Sequence, residues 1–269
     1  MIKEFGRRFR DHELINLGAQ CAYFLLLSIF PFLLVIVSLL AYLPFTFVDV
    51  YVLLQNTYVP PGVLEVIEDQ WNVITAESQV GLLSIGALFT LWTASLALNS
   101  ILQSLNLAYN ITENRGLLVG RLIAIALTTA MFFVVILALI FQVVGIHVRD
   151  WLQLEIILFD VDLLRWLISS TILFAVFLLL YWIGPSMRLR FKDVYVGAIF
   201  ATTGWQLVSW GFSAFVSGFA DFSATYGTIG TVIALMVWFH LTSLMILLGG
   251  EINAMKKEAS VARKQKKSS

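Results

Sequence analysis

The stretch "FSATYGTIGTVIALMVWFHLTSLMILLGG", residues 222–250, contains no Asp, Glu, Lys or Arg. A helix needs about 20 predominantly apolar residues to cross the hydrocarbon core of a bilayer, and this run exceeds that length. Its first nine residues, "FSATYGTIG", are rich in glycine and hydroxyl groups, a composition that suits a phosphate-cradling turn as well as a helix entrance. Working outward, five further uncharged runs occupy residues 14–48, 78–112, 122–148, 166–187 and 194–220. Six membrane-crossing helices are therefore expected, over residues 17–43, 80–105, 119–145, 163–184, 194–218 and 227–250.

Composition agrees. Hydrophobic residues make up 59% and charged residues 13%, about half the charged share of soluble domains. The mean hydropathy is +0.89. The fold class expected is an all-α integral membrane protein. The single cysteine, Cys21, cannot form an internal disulfide and reads as a small buried hydrophobe.

Basic residues orient the chain, because Lys and Arg accumulate in cytoplasmic loops. Fifteen of the seventeen fall on one side if six spans alternate: Lys3, Arg7, Arg8 and Arg10, then Arg115 and Arg121, then Arg188, Arg190 and Lys192, and six after residue 250. Arg149 and Arg165 remain opposite. Both termini are expected in the cytoplasm, and the location is the inner membrane. Residues 1–13 read as an interfacial helix with Ile2, Phe5 and Phe9 on one side. Residues 251–269 read as a basic tail, and both ends are expected to attract anionic inner-leaflet lipids. The extracytoplasmic loop 44–79 carries acids but no Lys or Arg. After "VPPG" it reads as an amphipathic helix, with Val63, Ile67, Trp71 and Ile74 opposite Glu65, Glu68, Asp69 and Asn72.

Polar groups inside the spans are the candidates for function, since amides facing lipid are costly. The first span carries Gln20, Tyr23, Ser28 and Pro31. Proline frees the carbonyl of Leu27, which Ser28 is placed to serve. The second carries Ser95, Asn99, Gln103 and Asn106, whose spacings of 4, 4 and 3 put them on one side of a helix. The fifth carries Gln206 and Ser213, with Gly197, Ala201 and Gly204 as a small-residue strip. The sixth carries His240. These residues line a cavity for a polar but uncharged interior, or they only hydrogen-bond helices together. No charged residue is expected near the centre of any span. At the start of the sixth span, Ser223, Thr225, Tyr226, Gly227 and Thr228 either cap the helix or bind a lipid phosphate at its N-terminus.

No Walker lysine motif, zinc-protease motif or nucleophile elbow occurs, and no metal or cofactor is expected. His12, His147 and His240 fall at three different membrane levels and do not form one metal centre. Nuclease chemistry needs a metal or an acid–base pair, and neither is visible, so nucleic acid is not an expected partner and no enzymatic role is expected.

Four segments resemble the YihY/virulence factor BrkB family of inner-membrane proteins, historically mislabelled ribonuclease BN. They are "LGAQCAYFLLLSIFPFLL", "LLSIGALFTLWTASLALNSILQSLNLAYNITENR", "YWIGPSMRLRFKDVYVGAIFATTGWQLVSWGFSAFV" and "FSATYGTIGTVIALMVWFHLTSLMILLGGEINA". Tyr109, Gly227, Trp238, Gly249, Glu251 and Asn253 carry the resemblance most specifically. It implies about six helices and a role in the cell envelope, with transport or lipid handling the usual guess and links to virulence suggested. Two function classes follow: a transporter or handler of a lipid or amphiphilic substrate, and a non-transporting envelope scaffold. Neither names an oligomeric state.

Overall fold

The structure, a computed structural model, describes residues 2–41, 68–69, 80–111, 116, 118–134, 161–218 and 220–268. Among them there are seven helices of ten residues or more and no strand. We label these α1 (Ile2–Asp11), α2 (Leu14–Ala41), α3 (Val80–Ala108), α4 (Leu118–Val134), α5 (Val161–Ile183), α6 (Phe191–Gly218) and α7 (Ala220–Ser268). Three segments are long and apolar enough to cross a membrane: Leu88–Ala108, Trp166–Ile183 and Val232–Ala262. α2 carries no charged residue over its 28 residues, and α4, Leu118–Val134, is a further apolar helix. The protein is thus an all-helical, apolar bundle.

α3 is the central element. Of its membrane-length segment 56% is buried, against 17% for that of α5. α2 packs along α3 and also reaches α7, while α6 packs on α7 and α5. Leu14, Cys21, Leu98, Leu102, Leu105, Leu180, Val194 and Leu247 form one core drawn from five helices, with Ala124 of α4 joining it. Cys21 is fully buried beside the Ala97 carbonyl, as its small apolar character predicts.

Helix ends follow local chemistry. Glu13, at φ 50°, breaks the chain between α1 and α2, and its carbonyl accepts from the amides of Asn16 and Leu17. Asn110 takes the left-handed conformation at φ 54° past the end of α3. The Ile111 amide then reaches the Asn106 carbonyl at 2.9 Å, which satisfies an end carbonyl as a Schellman closure does.

Two boundaries differ from expectation. α7 begins at Ala220 and runs unbroken to Ser268, so residues 251–268 of the basic segment continue the helix. The backbone of residues 223–228 is therefore already helical. Thr225, Tyr226, Gly227 and Thr228 lie beyond the four residues whose amides an N-terminus leaves free, and this removes the basis for a capping or phosphate-binding turn there. Ser223 is in the first turn, and of the stretch 223–228 only the backbone is described. Loop 44–79 lies outside the described residues apart from Glu68 and Asp69, which are helical and exposed.

The small-residue strip of α6 does what its composition predicts. Gly197 lies so close to α7 that a Cβ on it would run into the Gly249 carbonyl and the Asn253 amide. A Cβ on Gly249 would in turn meet the Gly197 carbonyl at 2.7 Å, and one on Gly204 would meet the Met245 sulfur at 2.7 Å. Backbone, not a flexible side chain, blocks the first crossing. Gly197→Ala is expected to destabilise by at least the ~1–3 kcal/mol of an overpacked core, measured as a lowered melting temperature in detergent. Gly211→Ala, with open space around it, should leave that temperature unchanged.

Candidate functional site: the polar end of the bundle and the open face of α3

Where α1 meets the ends of α3 and α7, charged groups are buried together. Glu251 is 1% exposed and Arg8 7%. The Arg8 guanidinium donates to the Ala108 carbonyl at 3.1 Å, to Glu251 Oε2 at 3.5 Å and to Glu258 Oε2 at 2.5 Å. His12 Nδ1 holds the other Glu251 oxygen. Arg8 thereby ties three helices and satisfies one of the orphan carbonyls at the C-terminus of α3, where the helix dipole also favours a cation. The Glu258 hydrogen bond, opposed by burial and aided by the charges of Glu258 and Glu251, raises the Arg8 pKa above its ordinary value.

A second set of polar contacts lies next to it. Gly197 N–H donates to Asn253 Oδ1 at 2.7 Å, and Tyr181 O–H donates to the Ile246 carbonyl at 2.6 Å. Asn106 is bonded to both the amide and the hydroxyl of Ser186, at 2.7 and 3.1 Å. Lys257 pairs with Asp193 at 2.5 Å, and Lys256 lies 3.9 Å from the Tyr195 ring centre. Four buried polar atoms have no hydrogen-bond partner among the described residues: Tyr109 Oη, Asn253 Nδ2, Thr242 Oγ1 and Ser243 Oγ. Burial, with the charges of Asp193 and Glu251, raises the Tyr109 pKa. Burial works against ionisation of Asp193, but the Lys257 hydrogen bond, the Arg190 amide and both cations outweigh it and lower its pKa.

The expected site residues are distributed differently. Ser28 is buried, but its hydroxyl goes to the Leu25 carbonyl at 2.8 Å rather than to that of Leu27. Pro31 is buried within α2. Ser95 is fully buried and bonds the Trp92 carbonyl of its own helix. Gln206 donates to Ser170 of α5 at 2.6 Å, Ser213 is half-buried, and Trp238 donates to Ser209. His240 is half-buried beside Gly18. The stripes therefore do not converge on one point. Two pairs do share open faces: Gln20 and Tyr23 on α2, and half-buried Asn99 with exposed Gln103 on α3. The α3 face also carries Leu88, Phe89, Trp92 and Leu107, which follow one another at helical spacing.

Sequence reasoning missed the charge cluster. A basic amphipathic helix reads as lipid-directed, and Phe5 and Phe9 are indeed partly covered, yet Arg8 turns inward to acids more than 240 positions away. The available signal was Glu251 itself, a carboxylate directly after a long apolar run. Among the described residues no three His, Cys, Asp or Glu side chains come together as a metal site.

Fold and site together define an all-helical membrane protein with a buried ionic clasp at one end. The sequence pattern described as "Virulence factor BrkB" matches residues 5–269, and the chain belongs to that family. It is 41% identical to the "Putative ribonuclease-like protein YfkH" of Bacillus subtilis, over 94% of each chain. It is 27% identical to a UPF0761 membrane protein of Photobacterium profundum, over 93% of this chain and 78% of that one. A UPF0761 membrane protein of Vibrio vulnificus is 27% identical over 91% of this chain and 78% of its own length. No solved structure matches.

Breaking a buried pair by removing one partner costs about 3–5 kcal/mol, whereas exchanging both for apolar groups costs far less. Arg8→Met and Glu251→Gln should each lower the melting temperature strongly, and Arg8→Met with Glu251→Leu and Glu258→Leu should recover most of the loss. The Asp193–Lys257 pair has a pH signature. Because the folded-state pKa of Asp193 is depressed, its contribution is complete above the unfolded value near ~4 and disappears as pH falls through the folded value. Stability measured across that acid range should fall less steeply in Asp193→Asn than in the parent.

Proposed function

We propose that this protein is a six-span inner-membrane protein, both termini cytoplasmic, that moves or handles an amphiphile of the cell envelope. One observation carries the reading: Asn99 and Gln103 stand on the open face of a membrane-length helix among exposed Leu88, Phe89, Trp92 and Leu107. Amides placed in hydrocarbon without partners are expensive. A polar head group travelling along α3, with its chains in the surrounding lipid, gives them something to bind. Gln20 and Tyr23 do the same on α2, which packs against α3. This replaces an enclosed polar cavity with an uncharged track on an open face. The Arg8–Glu251 clasp then closes the cytoplasmic end. Buried ionic groups contribute less to stability than apolar groups of the same shape, so their use at the joint with a short separate helix suits an element that opens.

A scaffold role is the second reading, and the helical continuation of α7, exposed at Glu258, Ala259, Ser260 and Val261, is the feature that favours it. The ribonuclease-like name of the Bacillus relative is not carried over. His12, Arg8, Glu251 and Glu258 are engaged with one another rather than presented to a phosphodiester.

Reconstitution into liposomes containing fluorescent phospholipid or lipid A analogues tests the reading. Transbilayer movement above that of empty vesicles is expected, with Asn99→Leu and Gln103→Leu together reducing it about tenfold or more while the melting temperature is kept. Movement no faster than in empty vesicles across all those lipids would sink it. A double variant that still complements a deletion strain in full would favour the scaffold.

A further inference from the structure

Arg121 was counted with the cytoplasmic basic residues at the start of the third expected span, 119–145, and the structure sets its charge against the side of α3. Its guanidinium carbon lies 4.2 Å from the centre of the Trp92 ring, and Nη2 donates to the Trp92 carbonyl at 3.5 Å. Trp92 stands sixteen residues from Ala108, the α3 end that Arg8 holds, which is about 24 Å along the helix at ~1.5 Å per residue. The guanidinium therefore sits against the membrane-length segment Leu88–Ala108, well away from the Arg8 clasp. No carboxylate pairs with it among the described residues, although it has one carbonyl and one ring for company. Exposed apolar side chains stand within one turn of each contact partner along its own helix: Leu88 and Phe89 beside Trp92 on α3, and Leu118 and Leu122 beside Arg121 on α4.

An unpaired guanidinium among exposed Leu and Phe side chains is a costly arrangement unless something supplies the negative charge. A guanidinium offers a planar fork of donors that matches phosphate oxygens, and stacking on tryptophan fixes its orientation while leaving donors free. The flanking apolar groups suit acyl chains. Trp92 shares its helix face with Asn99 and Gln103, so the charge stands at the end of the uncharged track.

We propose that Arg121, oriented by Trp92, is an anion-binding site for the phosphate of an anionic amphiphile entering sideways between α3 and α4. This deepens the amphiphile-handling reading and rests on it for the purpose of the site, but the binding itself is measured separately. The probe is phosphatidylglycerol in mixed micelles with phosphatidylcholine, and the readout is the number of lipids retained by the purified full chain in native mass spectrometry. The parent should retain phosphatidylglycerol in preference to phosphatidylcholine. Arg121→Gln should lose about tenfold of that retention, Trp92→Leu should lose part of it, and Arg188→Gln, at an exposed arginine of the α5–α6 turn, should keep it. Arg121→Lys, which preserves charge if the glutamine variant fails to fold, should lie between.

Undiminished phosphatidylglycerol retention in a folded Arg121→Gln protein overturns the site. Binding of inorganic phosphate alone that displaces the lipid completely overturns the amphiphile and leaves a free-anion site. If the arginine-dependent retention is seen but the parent moves no lipid in liposomes, the transport reading fails while the site stands. If lipid moves and retention ignores Arg121, the site fails alone.

Discussion

The arrangement of helices at one end of this molecule depends on a single buried guanidinium. Arg8 carries its charge from a ten-residue surface helix into contact with the last carbonyl of α3 and two carboxylates of α7. Each partner would be poorly served without it. Glu251 is enclosed and would otherwise share one half-buried histidine as its counterpart, and the Ala108 carbonyl would lose its donor. Desolvating so many charges is tolerable only because they meet at hydrogen-bonding distance and in several directions at once. The position of α1, the end of α3 and the depth of α7 are therefore set jointly.

Next to this clasp the backbones of α6 and α7 meet without side chains between them. Gly197 and Gly249 allow the contact, Asn253 bonds across it to the Gly197 amide, and Tyr181 closes over it to the Ile246 carbonyl. In a bilayer, where burial of apolar groups provides little reason for helices to associate, small residues and interhelical hydrogen bonds are the main sources of cohesion. Both are concentrated at the same end as the ionic cluster. The molecule is tied most firmly there, while the opposite stretch of α3 presents Trp92, Phe89 and Leu88 openly.

Much of the fold was legible from charge spacing alone. Uncharged runs placed helices within a few residues of α2, α3, α5 and α6, because a hydrocarbon layer excludes charge whatever the neighbours are. The glycine strip of α6 was equally readable, since close approach needs small residues. What could not be read were relations between distant residues. Nothing in "MIKEFGRRFRDHEL" says that Arg8 rather than Arg7 turns inward. Glu251 and Asn253 were visible only as markers of a resemblance, and their chemistry came from what stands opposite them. Arg121 was counted as cytoplasmic because it stands just before an uncharged run; that its guanidinium lies against Trp92 is a packing result. The side-chain stripe of α3 was correct as a helical periodicity but mixed two directions, with Ser95 and Asn106 turned in and Gln103 turned out.

The unbroken course of α7 has a mechanical meaning. From Ala220 to Ser268 it extends 49 residues, about 73 Å at ~1.5 Å per residue, and its tightest contact, at Gly249, lies well along it. Beyond Gly249 the rod is held again, by Asn253 at the Gly197 amide, by Lys257 at Asp193 and by Glu258 at Arg8. A rod fixed at several points along one stretch does not tilt there alone, so a shift of α7 carries α1 and α6 with it.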